Sequence, residues 1–197
     1  MKKMIWLTTL FVAFLIFVVP GVLALTLDII PAGDQPGFDS DRRLAIYGKR
    51  GIAQKFVSEE KNLTAIGTSI KNPNLKNRKE VLFNLYDEEG KLIRTSIVNG
   101  QNFQDGDFVK FVFQVVPDSS GKTYTFTLFS PEAGPEETIE VFYIKDDASF
   151  KSPIENILEY TYDEKVYPGG LPLVTFHKPE SRWEVTKKIY SSWLSKP

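Results

Sequence analysis

Residues 105–131 read DGDFVKFVFQVVPDSSGKTYTFTLFSP. Val109, Phe111, Phe113 and Val115 alternate with Lys110 and Gln114, and Tyr124, Phe126 and Leu128 alternate with Thr123, Thr125 and Thr127. A repeat of two puts one set of side chains on each face of a strand. Slipping either strand by one residue would carry its rings into water, so the register is specified. Pro117 closes the first strand, and Gly121 lets the chain turn into the second. This pairing predicts a hairpin at the centre of a β core, with Phe111, Phe113, Phe126 and Leu128 buried.

Working outward, the same short strand-like runs recur at Ile52–Val57, Leu63–Ile70, Val81–Tyr86, Leu92–Val98, Thr138–Ile144 and Leu171–His177. Turn signals separate them; in YDEEGKL, Gly90 is placed to take a positive φ. Eight runs of this kind indicate an all-β antiparallel sandwich or barrel over residues 52–178. The preceding segment 25–51 is rich in Pro, Gly and Asp and predicts an irregular lead-in arm with one short strand at Leu44–Tyr47. The chain of 197 residues holds 15 Phe and 8 Tyr against 2 Met and no Cys. That composition suits a rigid aromatic core and excludes disulfides and thiolate metal sites. With a net charge of −1 there is no basic footprint, and no nucleic-acid partner is expected.

Both ends differ from the body. Lys2 and Lys3 precede an apolar run from Met4 to Val19, Pro20-Gly21 is read as a helix breaker, and Val22-Leu23-Ala24 follows. Residues 1–24 therefore read as a signal peptide or as a membrane anchor through residues 4–24, and in both cases the body is exported. The uncharged run continues to Leu27, and about 24 helical residues at about 1.5 Å each could cross a bilayer of about 30 Å. At the other end Ser181-Arg-Trp-Glu184 has capping-box spacing, and Val185, Ile189 and Trp193 then share one face. Residues 179–197 predict a terminal amphipathic helix over Arg182–Leu194, placed for packing or for contact with membrane or partner.

The runs QKF at 54–56, NLTAIGTSI at 62–70, VLFNLYDEEGKLI at 81–93, the opening hairpin and ETIEVFYI at 137–144 together form a pattern. It resembles the extracytoplasmic jelly-roll domain of bacterial membrane proteins, often of glycosyltransferase type, that act in envelope polysaccharide assembly. The resemblance implies a jelly-roll sandwich similar to carbohydrate-binding modules and a glycan-related role. The family's closing strand carries an Asp-Leu-Ala-Phe pattern, whereas this chain has GGLPLVTFHK with no Asp. The sequence also has no polytopic membrane portion, so no transferase chemistry is carried over.

His177 is the single histidine, which argues against a triad, and a strand-end position is expected for it, either at the surface or hydrogen-bonded locally. The acidic pairs sit in loops and read as solvated, so the chain is expected to be non-enzymatic. Asp39, Asp41, Asp146 and Asp147 could meet at one end of the sandwich and hold a structural calcium ion. The stretch 146–170, DDASFKSPIENILEYTYDEKVYPGG, mixes Phe150, Tyr160, Tyr162 and Tyr167 with oxygen-bearing side chains. Ring faces against sugar C–H bonds, with carboxylates and amides taking hydroxyls, make these four the candidate glycan contacts; plugging the open end of the sandwich is the alternative. The expected function is a non-enzymatic binding module of the cell envelope. Its rival is an assembly module that contacts another envelope protein through a sheet edge or the terminal helix.

Overall fold

A computed structural model describes residues 2–34, 36–103, 107–145 and 157–194. In chain order the elements are α1 (Lys2–Thr26), β1 (Ile30–Pro31), β2 (Arg43–Ile46), β3 (Ile52–Val57), β4 (Leu63–Lys71), β5 (Glu80–Tyr86) and β6 (Leu92–Asn99). Then follow β7 (Asp107–Val116), β8 (Thr123–Phe129), β9 (Ile139–Phe142), β10 (Ile144–Lys145) and β11 (Ile157–Tyr162). β12 (Lys165–Tyr167), β13 (Gly169–Gly170), β14 (Val174–His177) and α2 (Arg182–Leu194) complete the set. The chain divides into two units, Met1–Ile30 with Lys178–Pro197, and Pro31–His177.

The larger unit is built from antiparallel sheets. One runs β12-β11-β3-β8-β5-β6. In the other, β4 is the hub: β7 lies along one side from Leu63 to Ile70, while β14 pairs with Leu63–Gly67 and β9 with Ile70–Lys71 on the other side. β2 extends this sheet beyond β9, and β10 pairs with β13 separately.

The core lies between the two large sheets. β8 contributes Tyr124, Phe126 and Leu128 from its inner face, and its threonines line the outer one. Phe83 of β5 joins the layers. Its ring stacks on Phe126 of its own sheet at 5.4 Å and on Phe111 and Phe113 of β7 at 5.1 and 5.7 Å. All four residues expected at the centre, Phe111, Phe113, Phe126 and Leu128, are buried there. Gly90 takes φ +77°, as its turn requires.

Several details differ from the expectation. β7 and β8 do not pair as a hairpin: β7 pairs with β4, and β8 pairs with β3 and β5, so the turn at 117–122 carries the chain from one sheet to the other and the two aromatic faces meet across the core. Val116 takes the inner position assigned to Val115, because β7 bulges between Val112 and Val116, and Arg94 donates to the carbonyls of Gln114 and Val115 that the bulge frees. The run 138–144 splits at Tyr143 into β9 and β10. The run 171–177 becomes a strand only at Val174: Pro172 has no N–H for the ladder, and Leu171 N–H goes to the Gln54 side chain instead. His177 stands at the strand end, as expected, but of the two alternatives the surface one is excluded, because the residue is buried at the end of β14.

The smaller unit pairs α1 with α2. Pro20 does not end α1, which runs on to Thr26. Proline deprives the carbonyl four residues back of its partner, and the Tyr190 hydroxyl donates to that carbonyl, on Ile16. α2 covers the expected residues and starts on the expected signal: Glu184 N–H donates to Ser181 Oγ, while Glu184 Oε2 accepts from Glu180 N–H.

Phe126→Ala should cost about 3 to 5 kcal/mol of unfolding free energy in denaturant melts, since its cavity opens beneath the Phe83 stack. Val112→Ala, on the exposed outer face of β7, should stay within about 0.5 kcal/mol. Equal costs would place the inner face of β7 wrongly.

Candidate functional site

The outer face of the β12-to-β6 sheet carries a row of small and polar side chains. Thr161, Ala53, Thr127, Asn84 and Thr95 sit opposite one another on five adjacent strands, about 4.8 Å apart from strand to strand. Outward-facing Thr at these positions is the counterpart of the aromatic face turned inward. The Thr95 hydroxyl donates to Asn84 Oδ1 at 2.9 Å, which fixes one end of the row. With so little side-chain bulk the sheet forms a floor.

Two turns wall this floor. Tyr47 and Arg50 exchange backbone hydrogen bonds at 3.1 and 2.9 Å, closing a tight turn over Gly48 and Lys49. Gly48 has φ +52°, which a two-residue hairpin turn demands of its first central residue. Gly51 follows, and a Cβ there would stand 2.8 Å from the Leu128 carbonyl oxygen, so only glycine lets β3 begin so close to β8. Facing it, Asp163 and Glu164 make the β11–β12 turn with φ of +53° and +63°. The resulting groove of about 850 Å³ is lined by both turns, by Ala53, Thr127 and Thr161 of the floor, and by Tyr86, Phe129 and Pro131.

Arg50 ties the walls together. Its guanidinium lies 5.3 Å from the Tyr47 ring centre and 5.9 Å from that of Tyr162, and it pairs with Asp163 at 3.5 Å. These neighbours, Tyr162 and Tyr47 foremost and then Asp163, raise its pKa further, so it is a fixed cation. The Tyr162 hydroxyl donates to the Ala45 carbonyl at 2.8 Å, and burial raises its own pKa despite the opposing effect of Arg50. An aromatic-backed cation, a paired carboxylate, hydroxyls and partly exposed rings can bind a polar, hydroxyl-rich ligand that has apolar C–H faces.

The residues singled out from sequence divide. Tyr160 is 5% exposed and sits in the core cluster between Tyr143 and Tyr167, with ring centres 5.9 and 5.3 Å away. Burial, then Tyr143 and Tyr167, push its pKa up to about 12. Tyr162 lies behind Arg50, and Tyr167, 36% exposed, covers Tyr160 from the edge strand β12. Phe150, Asp146 and Asp147 lie outside the described residues. Asp39 is engaged locally, accepting from Asp41 N–H and pairing with Arg42. No group of three or more residues able to hold a metal ion occurs among the described residues. Sequence reading missed the Tyr47–Gly51 half of the groove. Its signal was the string Tyr-Gly-Lys-Arg-Gly, an aromatic and two cations framed by two glycines in a segment read as an irregular arm.

No known protein family matches the chain, and no curated protein matches it. Among solved structures, a family two carbohydrate esterase from Cellvibrio japonicus aligns over 72% of this chain at 8% identity and a TM-score of 0.34. The chain spans 32% of that protein's length.

Burial of neutral Tyr160 sets an alkaline limit. The unfolded chain ionises this tyrosine near pH 10 and the folded protein only near 12, so its stabilising effect is complete below about pH 10 and is lost as pH rises toward 12. Thermal melts between pH 9 and about 12 should show this decline, and Tyr160→Phe should flatten it. An unchanged slope in that variant would mean that its hydroxyl titrates freely.

Proposed function

We propose that this chain is a non-enzymatic, glycan-binding module of the cell envelope, a jelly-roll-type sandwich displayed outside the cytoplasm by its N-terminal helix. The carrying observation is the groove over the Thr161–Ala53–Thr127 floor, walled by Tyr47, Tyr86 and the Arg50–Asp163 pair. A sugar ring offers C–H faces to tyrosine rings and hydroxyls to the Thr161 hydroxyl, the guanidinium and the carboxylate, and this surface supplies both kinds of partner. Asp163 is committed to Arg50, which favours a holding role over acid–base work. Export is supported by Lys2 and Lys3 ahead of a long uncharged helix.

The second reading, an assembly module, is favoured by the edge strand β12. It pairs on one side with β11 and presents an exposed Val166. Among the described residues its other side has no partner strand, and an edge of this kind can accept a strand from another protein.

Screening the detergent-solubilised full-length chain on a glycan array, followed by titration of a hit, separates the two. Tyr47→Ala and Tyr86→Ala should each weaken binding about 5- to 150-fold, corresponding to about 1 to 3 kcal/mol per stacking ring. Tyr167→Ala should leave affinity unchanged. Equal affinity in all three variants, or an array without a hit, would overturn the glycan reading.

A further inference from the structure

We infer that α1 stays on the mature chain as a bilayer-spanning anchor and that α2 is built to complete it. In hydrocarbon a helix must satisfy every backbone and side-chain polar group without water. Between Lys3 and Thr26, α1 carries three hydroxyl side chains, and each returns to the helix: Thr8 to the Met4 carbonyl, Thr9 to that of Ile5 and Thr26 to that of Leu23; the Trp6 indole N–H stands one turn from the lysine end, at headgroup depth. Besides the first-turn N–H groups at its Lys2–Lys3 end, two places remain where α1 cannot satisfy itself. One is the Ile16 carbonyl orphaned by Pro20, and the other is the C-terminal turn, whose last carbonyls have no partner in any helix.

α2 serves both places. The Tyr190 hydroxyl donates to the Ile16 carbonyl. The Arg182 guanidinium donates to the carbonyls of Ala24 and Leu27 at 3.1 and 2.9 Å and reaches Asp28 at 3.4 Å. Between these two polar contacts, Val185 is fully buried with Ala24 and Ile30, and Ile189 packs beside them. Arg182 meets the end of α1 and Tyr190 meets its middle, so α2 runs back along the second half of α1 and takes Lys187 and Lys188 with it, whose four-carbon stems are long enough to return their charges toward the headgroups.

This pairing bears on processing. The segment a signal peptidase would cut, Val22-Leu23-Ala24, is helical, and Ala24 is only 1% exposed. Proteases favour exposed, non-regular chain. Removing α1 would leave Arg182, Val185 and Tyr190 without the partners they are placed to meet. The occupant of the outer surface of α1 is a lipid bilayer: the span Lys3–Thr26 reaches a mean hydropathy of 2.5 and is about 36 Å long, and Met4, Leu7, Phe11 and Phe17 point outward.

The inference stands apart from the groove, and its test does not use glycan. The protein is expressed in full, membranes are washed with alkaline carbonate, and the retained chain is weighed intact. Retention at the full-length mass of 22.4 kDa is expected, and a mature N-terminus at Leu25 overturns the proposal. Because the chain has no cysteine, an Ala24→Cys/Val185→Cys pair reports the helix pairing directly. Oxidation in the membrane should convert it to a faster-migrating cross-linked form, while Leu23→Cys/Val185→Cys, with position 23 turned outward, should not link. Full-length retention without the Ala24–Val185 cross-link overturns the role of α2.

Discussion

The Phe83 ring is the contact on which the body depends. It belongs to β5, stacks on Phe126 beside it, and meets Phe111 and Phe113 across the layer gap. Aromatic pairs in this offset geometry add about 0.5 to 1.5 kcal/mol each beyond the area they bury. The geometry also fixes the relative register of β5, β7 and β8, because a shift of one residue on any of them would turn its rings outward. The groove floor is the reverse side of that constraint. Thr125 and Thr127 face outward because Tyr124, Phe126 and Leu128 face inward.

Two buried polar knots hold the strand ends where the rings cannot. Asn72 donates to the carbonyls of Asn77 and Gly100 and accepts from Asn77 N–H, while Asn77 donates to the Glu137 carbonyl and to Ser130 Oγ. The loop between β4 and β5 is thereby tied to the end of β6, the end of β8 and the start of β9. Gly100 belongs to the same knot, since a Cβ there would stand 2.5 Å from Asn77 Oδ1. The second knot is Gln54, fully buried in β3, which donates to the Glu159 carbonyl and accepts from Leu171 N–H. It locks β11 onto β3 and so holds Asp163 opposite Arg50. Removing either amide would strand several buried backbone groups, which costs more than the lost bonds alone.

Strands with strict alternation were legible from sequence, and their bounds came out nearly unchanged at β3 and β8. Legibility failed where the period breaks. The β7 bulge moves Val116 into the place of Val115, and nothing in FQVV announces the extra residues. Pro20 carried a real local penalty, but a tertiary partner, Tyr190, removed it. The tyrosines of 157–167 were visible as aromatics in polar company, yet pairing Tyr160 with Gln54 and Tyr167 turned the ring inward. Half of the groove was hidden for a related reason. Arg50 and Asp163 are far apart in sequence, and only the pairing of β3 with β11 brings their turns together.

The two outer faces of the body explain why the groove lies where it does. On the β4 sheet, the small residues Ala65, Gly67 and Ser69 also make a narrow strip, but rings close over it. A Cβ on Gly67 would fall 2.2 Å from the Phe108 ring and 3.0 Å from that of Phe176, and Lys110 lies 5.2 Å above Phe176. Packing consumes that face: aromatic neighbours on β7 and β14 lean across it and meet at 6.3 Å. The floor of the other sheet has threonine and asparagine at the corresponding positions, with Ala53 and Asn84 on either side of Thr127. Its aromatic residues stand at the rim instead, on a glycine-framed turn and at the end of β5. A sheet that keeps its bulk at the margin and small residues at the centre leaves room for a flat ligand, whereas the ring-covered sheet has already filled its own.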